Sequence, residues 1–418
     1  MKILDARQIK ECDQYTIVHE PILSIDLMER AARAIVKELM PIVDGFRTIS
    51  IYAGPGNNGG DALAVARLIH LQNSNIDIQV FTPPAGAKLS IDCQINLSRL
   101  TGTGISVRQL TENEPLPAID GNSMIVDGLF GSGLNRPIEG FWASVIEHIN
   151  NSGAQVVSID MPSGLFSSDN RANNGAIVRA SYTLSLQQPK LAFMFAENEQ
   201  YTGKISILDI GISSEAIDAA HTPFSYTCKP DVSGIVGERK RFAHKGTFGR
   251  ALLVAGSRLM TGAAVLSARA CLRTGCGLLT VDVPESSRVI MQTAVPEATL
   301  NITDDGDSLL NQDNLQKYTA IGIGPGLGTN AKAEARLKML IGNTQMPMVI
   351  DADAINLLAA NDELLGLLHA DTILTPHPGE FDRLTHSHSC CYDRLQTAMD
   401  FAAQHNLIIV LNGANTAV

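Results

Sequence analysis

A chain of 418 residues is longer than one ordinary hydrophobic core supports, so two domains are expected. Its composition, 45% apolar and 18% charged, excludes a disordered chain, and a formal net charge of −11 excludes a whole-chain nucleic-acid binder. An acidic chain still accepts anionic ligands where backbone N–H groups and helix N-termini supply a local positive field.

The opening "MKILDARQIK" carries no apolar export segment, and no apolar run reaches membrane-spanning length, so no membrane partner is expected. Seven cysteines without a C-x-x-C pair argue against a disulfide framework and a zinc ribbon. The expected compartment is a reducing cytoplasm.

In chain order, residues 24–40 ("SIDLMERAARAIVKELM") place apolar residues at helical spacing, with Ser24 as N-cap. The pattern then alternates. "TISIYAG" reads as a buried strand, "DALAVARLIHLQ" as a helix and "IDIQVFTP" as a strand. A helical "IDCQINLSRL", the strand "SMIVDGLFG", the helix "FWASVIEHIN" and the strand "AQVVSIDMPSG" follow, and "YTLSLQ" and "GKISILDIG" close the series. Such alternation predicts a doubly wound parallel sheet whose ligand sites lie at the carboxyl ends of strands.

Around residues 211–235 the rhythm lapses, which marks a domain boundary. The expected domains are 1–215 and 225–418. The second series begins with the strand "GRALLVAGS", the helix "AAVLSARACLRTG" and the strand "LLTVDVP". "AIGIGPGLG", "PMVIDADAINLL", "TILTPHPGEFDRL" and "LIIVLNGANT" then repeat one arrangement, a short apolar strand running into a turn. No sequence repeat relates the halves. The stretch "HSHSCC" (His386 to Cys391) holds metal-ligand residue types, but its spacing fits no common zinc pattern and it reads as a polar surface loop. Because the chain stops at Val418 directly after a strand, the second domain is expected to be incomplete.

Gly54, Gly56 and Gly59 spell G-x-G-x-x-G between a strand and a helix. A redox dinucleotide site also needs an acidic residue at the end of the second strand, and "VFTPP" supplies none. No G-K-[ST] follows either. "GPGNNGGDA" is nonetheless richer in Gly, Asn and Asp than one tight turn requires, and it opens a helix, an anion-binding arrangement. Two further strand ends are polar: "IVDGLFGSGLNRPIEG" carries Asp127, and "SIDMPSGL" carries Asp160 and Ser163. Converging oxygens without a Cys/His set suit a hard cation beside a phosphate ligand.

Together "GPGNNGGDALAVAR", "VDGLFGSGLNRPIEG" and "SIDMPSGL" resemble the motifs of NAD(P)H-hydrate epimerase. "HKGTFGRALLVAGS", "MTGAAVLSARACLRTGCGLLTV", "IGPGLG", "DADAINLL", "TPHPGEFDRL" and "NGANT" resemble the ADP/ATP-dependent NAD(P)H-hydrate dehydratase, whose fold is ribokinase-like. The resemblance covers nearly the whole chain in the order of the bifunctional nicotinamide nucleotide repair enzymes. It implies a Rossmann-like α/β domain followed by a ribokinase-like α/β domain. The substrates it implies are NADHX and NADPHX, nicotinamide dinucleotides hydrated at ring carbon C6, with epimerisation in the first domain and ADP- or ATP-driven removal of water in the second.

Residue by residue, the resemblance assigns Asn57, Asn58, Gly59, Gly60 and Asp61 to the hydrated dinucleotide. Gly131, Ser132, Gly133, Leu134, Asn135, Arg136 and Pro137 would wrap its other side. Asn58, Asp127 and Ser163 resemble potassium ligands, and Asp160 is the expected catalytic residue at the reacting ring, able to supply and recover a proton if partial burial raises its carboxyl. In the second domain Gly262, Gly326 and His377 match hydrate-contacting positions, and Asn412, Gly413, Ala414, Asn415 and Thr416 match the stretch that holds ADP or ATP with Mg2+. Read alone, "TPHPGE" is a proline-fixed turn with a surface His. A homo-oligomer is expected. Two departures bear on the dehydratase: Asn412 stands where the family usually has Lys, and a "GSGD"-like stretch that would supply an anion hole and catalytic base is absent. A natural end at Val418 would leave the second activity weak or lost. A ribokinase-like small-molecule kinase and a non-catalytic nucleotide-binding scaffold are the alternative readings.

Overall fold

The computed structural model describes residues 1–303 and 315–418. The chain forms two compact units, Met1–Val236 and Gly237–Val418. In the first unit the strands are β1 (Thr48–Ala53), β2 (Asp77–Thr82), β3 (Ser106–Gln109), β4 (Met124–Gly128), β5 (Gln155–Ile159), β6 (Tyr182–Leu186) and β7 (Lys204–Leu208). They lie in the order β3-β2-β1-β4-β5-β6-β7, every pair parallel. In the second unit β8 (Arg250–Val254), β9 (Leu278–Pro284), β10 (Thr299–Thr303), β11 (Ala320–Ile323), β12 (Met348–Ile350), β13 (Ile373–Leu374) and β14 (Ile408–Ile409) follow one another in sequence. Their spatial order is β10-β9-β8-β11-β12-β13-β14, again all parallel. Both units therefore reverse winding direction beside their first strand, although no repeat is visible in the sequence. Each reversal opens a crevice at the strand C-termini, the place where ligands bind in open α/β sheets.

The helices that flank the first unit's site are α1 (Ala6–His19), α2 (Ser24–Val43), α3 (Asn57–Gln72), α4 (Ile91–Arg99) and α5 (Gly140–Asn150). Helix α2 buries Ala32, Ile35, Val36, Leu39 and Val43, one face at helical spacing, in the core beneath β1 and β2. The opposite face of the sheet packs Tyr52, Phe81, Ile125 and Val156 against Val145, Ile146 and Ile149 of α5. Two local expectations are corrected. Leu23, not Ser24, is the N-cap of α2, and the Ser24 hydroxyl instead donates to Asp92 Oδ2 of α4 at 2.6 Å. Helix α1 was not expected; a capping box starts it, in which Gln8 N donates to Asp5 Oδ1 at 2.8 Å and Asp5 N to Gln8 Oε1 at 3.0 Å. Among the described residues no helix is long and apolar enough to cross a membrane.

Candidate functional site

In the first unit the site is built at the winding reversal between β1 and β4, where backbone replaces side chain. Gly54 N donates to Gly128 O at 3.0 Å. A Cβ on Gly54 would lie 1.7 Å from Leu129 O, and one on Gly59 would lie 1.9 Å from Gly54 O. Only glycine allows the two strand exits and the first turn of α3 to meet so closely. Gly56 caps α3 without a side-chain bond, so the leading N–H groups of this 16-residue helix are open for an anion. Asn57 is exposed there, whereas Asn58 and Asp61 are buried.

Two of the expected residues, Asn58 and Asp160, converge on Gly131. A Cβ at that position would stand 3.2 Å from Asn58 Oδ1 and 3.2 Å from Asp160 Oδ2. Ser132 N donates to Asp160 Oδ2 at 3.0 Å, and Phe130 N donates to Ser163 Oγ at 2.8 Å. The loop is thus pinned at its start, while Gly133, Asn135 and Arg136 are exposed and Leu134 and Pro137 are half-buried.

Asp127 is fully buried at the end of β4, and its two carboxylate oxygens accept four bonds. Ser163 Oγ and Leu129 N reach Oδ1 at 2.6 and 3.2 Å, and Ser158 Oγ and Ser163 N reach Oδ2 at 2.7 and 2.9 Å. Burial pushes this carboxyl up, against the pull of those donors. The amide Nδ2 of Asn58 is buried without a partner. The oxygens of Asn58, Asp127 and Ser163 are hard donors of the kind a monovalent cation takes, whereas the orphaned Asn58 Nδ2 is an N–H donor and calls for an acceptor, not a cation.

Asp160 follows β5 with a φ of +62°, a conformation that costs an L-residue energy and recurs at functional sites. The expected rise of its carboxyl is corrected. Burial alone would raise it, but Lys190 stands 2.5 Å from Oδ1, and its charge, its hydrogen bond and Ser132 hold Asp160 below the usual carboxylate range. Asp61 behaves in the opposite way: burial, then the charges of Asp160, Asp13 and Asp92, push it well above the ordinary value. Asp13 of α1, half-buried, is raised to about 6 by burial and by Asp160, with Lys190 opposing.

In the second unit the expected residues form two pairs along the strand C-termini. Beside the β8–β11 reversal, Gly326 has a φ of +66°, and its Cβ would lie 2.8 Å from Ala263 Cβ and 2.9 Å from Met260 Cβ. Gly326 therefore lies against Met260 and Ala263, the stretch that carries Gly262, and Gly256 N secures the approach by donating to Pro325 O at 2.8 Å. Beyond β13, His377 caps the helix Pro378–Leu384: its Nδ1 accepts from Gly379 N at 3.1 Å and its N–H donates to Glu380 Oε2 at 3.0 Å. Asn412 reaches the same strand end, its N–H donating to Pro376 O at 2.9 Å and its Nδ2 to Thr375 O at 2.8 Å. Gly413 through Thr416 form an exposed turn closed by the Leu411–Ala417 bridge.

The first half, residues 24–192, matches the model of the YjeF-related protein N-terminus, and residues 251–418 match that of NAD(P)H-hydrate dehydratase. Over 435 residues the chain is 31% identical to the bifunctional NAD(P)H-hydrate repair enzyme Nnr of Moorella thermoacetica, covering 100% of this chain and 82% of that protein. The chain belongs to the family of bifunctional NAD(P)H-hydrate repair enzymes. A second family member, from Gloeobacter violaceus, is 34% identical over 384 residues, covering 90% of this chain and 73% of its own. Among solved structures, the ADP/ATP-dependent NAD(P)H-hydrate dehydratase of Bacillus subtilis, co-crystallised with ATP/Mg2+, is similar at 31% identity and a TM-score of 0.37, covering 45% of this chain and 66% of that one.

Against this family background, sequence reasoning missed three charged residues. Lys190 lies in "QQPKL", a stretch with no motif character, and Asp13 lies in the unexpected α1. Asp353 lies within "DADAINLL", a stretch whose pattern alone marks no role for it; its Oδ2 accepts from Gly328 N at 2.8 Å and so holds the "GPGLG" turn. The only available signal was a lone lysine just past a buried strand. "HSHSCC" also differs from a plain surface loop. His386 is exposed, but the His388 side chain is buried, with Nδ1 2.8 Å from Asp382 Oδ1. No group of three or more His, Cys, Asp or Glu residues suited to a metal occurs among the described residues.

Proposed function

We propose that the first unit interconverts R- and S-NAD(P)HX and that the second converts the S form to NAD(P)H at the expense of ADP or ATP. Family membership supports the reading, and the observation that carries it is the convergence of Asn58, Gly131 and Asp160 beside the open N-terminus of α3. That N-terminus suits the dinucleotide phosphates, with Asn57 through Asp61 on one side of the ligand and Gly131 through Pro137 on the other. Asp160 then faces the nicotinamide ring. Its C6 carries a hydroxyl next to an electron-rich nitrogen, so the hydroxyl leaves as water once protonated and water returns to either face of the cation.

Asn58, Asp127 and Ser163 would hold a potassium ion, whose charge favours the dinucleotide phosphates. In the second unit Gly262, Gly326 and His377 would contact the hydrate, and Asn412 through Thr416 the nucleotide with its Mg2+. There the C6 hydroxyl takes the terminal phosphoryl group of ADP or ATP, releasing AMP or ADP. Phosphate then departs with the C6–O bond, and a C5 proton is lost to give NAD(P)H. A cytoplasmic homo-oligomer completes the reading, as the sequence leads one to expect.

The test is a chromatographic assay of mixed R- and S-NADHX. Interconversion without nucleotide supports the first activity, and nucleotide-dependent return of NADH supports the second. Absence of interconversion overturns the epimerase assignment.

A further inference from the structure

Lys190 follows β6 by four residues, past a turn in which Gln187 has a φ of +56°. Its side chain is only 1% exposed. An ammonium has three donors, and all three are engaged: Asp160 Oδ1 at 2.5 Å, Ser185 Oγ at 2.8 Å and Leu186 O at 3.0 Å. None remains for a ligand, so Lys190 acts through Asp160. On the other carboxylate oxygen, Asp160 holds the N–H of Ser132 in the loop that would wrap the dinucleotide. A carboxyl that accepts an ammonium on one oxygen and a backbone N–H on the other is held as an acceptor on both.

The other charged groups that act on this cluster are Asp61 of α3 and Asp13 of α1, each raised in part by the charge of Asp160, and Asp92 of α4, whose charge acts on Asp61. The Asp61 side chain is buried, with no side-chain hydrogen bond or ion pair among the described residues. A buried, unpaired carboxyl beside other carboxylates retains its proton.

Building on the epimerase reading, we propose that Lys190 is a positioning residue that fixes Asp160 as an ionised proton acceptor and leaves the donor role to Asp61. The Asp61 proton goes to the C6 hydroxyl oxygen, the C6–O bond breaks with loss of water, and the ring-nitrogen lone pair forms the C6=N bond. Water then bonds to C6 from the other face and gives a proton to Asp160. The reverse direction exchanges the two roles, and proton exchange with solvent restores the starting state.

The experiment compares kcat and KM for NADHX epimerisation between about pH 4 and pH 9 in the wild type, Lys190→Met and Lys190→Arg. Lys190→Met is expected to lower kcat on the order of 10²-fold with KM within about threefold, and to move the acid limb of the kcat profile upward by about one pH unit or more. Lys190→Arg keeps the charge and is expected to leave that limb near its wild-type position. An unmoved or downward-shifted acid limb in a folded Lys190→Met enzyme overturns the proposal. Should that variant not fold, Asp61→Asn decides: the alkaline limb of the wild-type profile must disappear in it, and its persistence overturns the proposal. A wild-type enzyme that binds NADHX without epimerising it overturns the underlying reading instead.

Discussion

Ser163 brackets Asp127 from two sides, its hydroxyl 2.6 Å from Oδ1 and its N–H 2.9 Å from Oδ2. The same hydroxyl accepts from Phe130 N at 2.8 Å, so one serine ties the ends of β4 and β5 to the start of the wrapping loop. Ser163→Ala leaves a buried carboxylate oxygen and a partly buried N–H without that partner, at a cost of about 1–3 kcal/mol. Thermal denaturation is expected to show this loss, with Ser163→Thr recovering most of it. If Ser163 also serves a potassium site, replacing potassium by choline slows NADHX epimerisation in the wild type and has little further effect in Ser163→Ala.

The close contacts at the first winding reversal give a matched pair of glycine predictions. Ala at Gly54 would put its Cβ 1.7 Å from Leu129 O, a backbone atom that cannot yield without separating β1 from β4. Gly54→Ala is therefore expected to destabilise the first unit by at least about 2 kcal/mol and to abolish dinucleotide binding. At Gly133 nothing lies within 4 Å of an added Cβ, so Gly133→Ala is expected to change stability by no more than about 0.5 kcal/mol. Urea unfolding of both variants makes the comparison.

In the second unit the guanidinium of Arg336 pairs with Asp282, whose side chain is fully buried and which also accepts from Thr303 Oγ1 at 2.5 Å and Asn301 Nδ2 at 3.1 Å. Removing the cation strands a buried carboxylate, so Arg336→Met is expected to cost about 3–5 kcal/mol. The double variant Arg336→Met/Asp282→Asn is expected to recover part of that loss, since it removes the stranded charge as well. A double variant as unstable as the single one would mean that Arg336 contributes through its apolar stem rather than its charge.

Which of these features the sequence revealed follows from the range of the forces involved. The alternating strands and helices are local patterns of apolar spacing, and both doubly wound units follow from them. Asn58, Gly131, Asp160, Asp127 and Ser163 lie at strand ends, where topology itself brings ligand residues together, so their convergence was also legible. The charge state of Asp160 was not. Its cause, Lys190, is 30 residues away in sequence, carries no motif and arrives through the β6 turn. Burial was the only influence on Asp160 that the sequence suggested; it is the largest single one, but the Lys190 charge, its hydrogen bond and Ser132 together overcome it. Helix α1 escaped notice because its apolar face is weak; only Cys12 and Thr16 are buried within it, and its start signal is the Asp5–Gln8 box rather than an apolar stripe.

Helix α1 also brings Asp13 towards Asp160, with a consequence for stability. Burial and the charge of Asp160 raise the Asp13 carboxyl to about 6, so the folded state binds this proton more tightly than the unfolded chain does. The associated stabilisation is complete below the ordinary carboxylate range and is lost as pH rises through about 6. Asp13→Asn removes the titration and keeps a neutral side chain of similar shape. The variant is expected to melt above the wild type at about pH 8, where the native carboxylate is ionised beside Asp160, and to lose that advantage at about pH 4.5. Differential scanning calorimetry across this window measures the difference directly. A difference in melting temperature that does not change with pH would show that Asp13 keeps an ordinary carboxyl in the folded protein and that α1 lies outside the electrostatics of the Asp160 site.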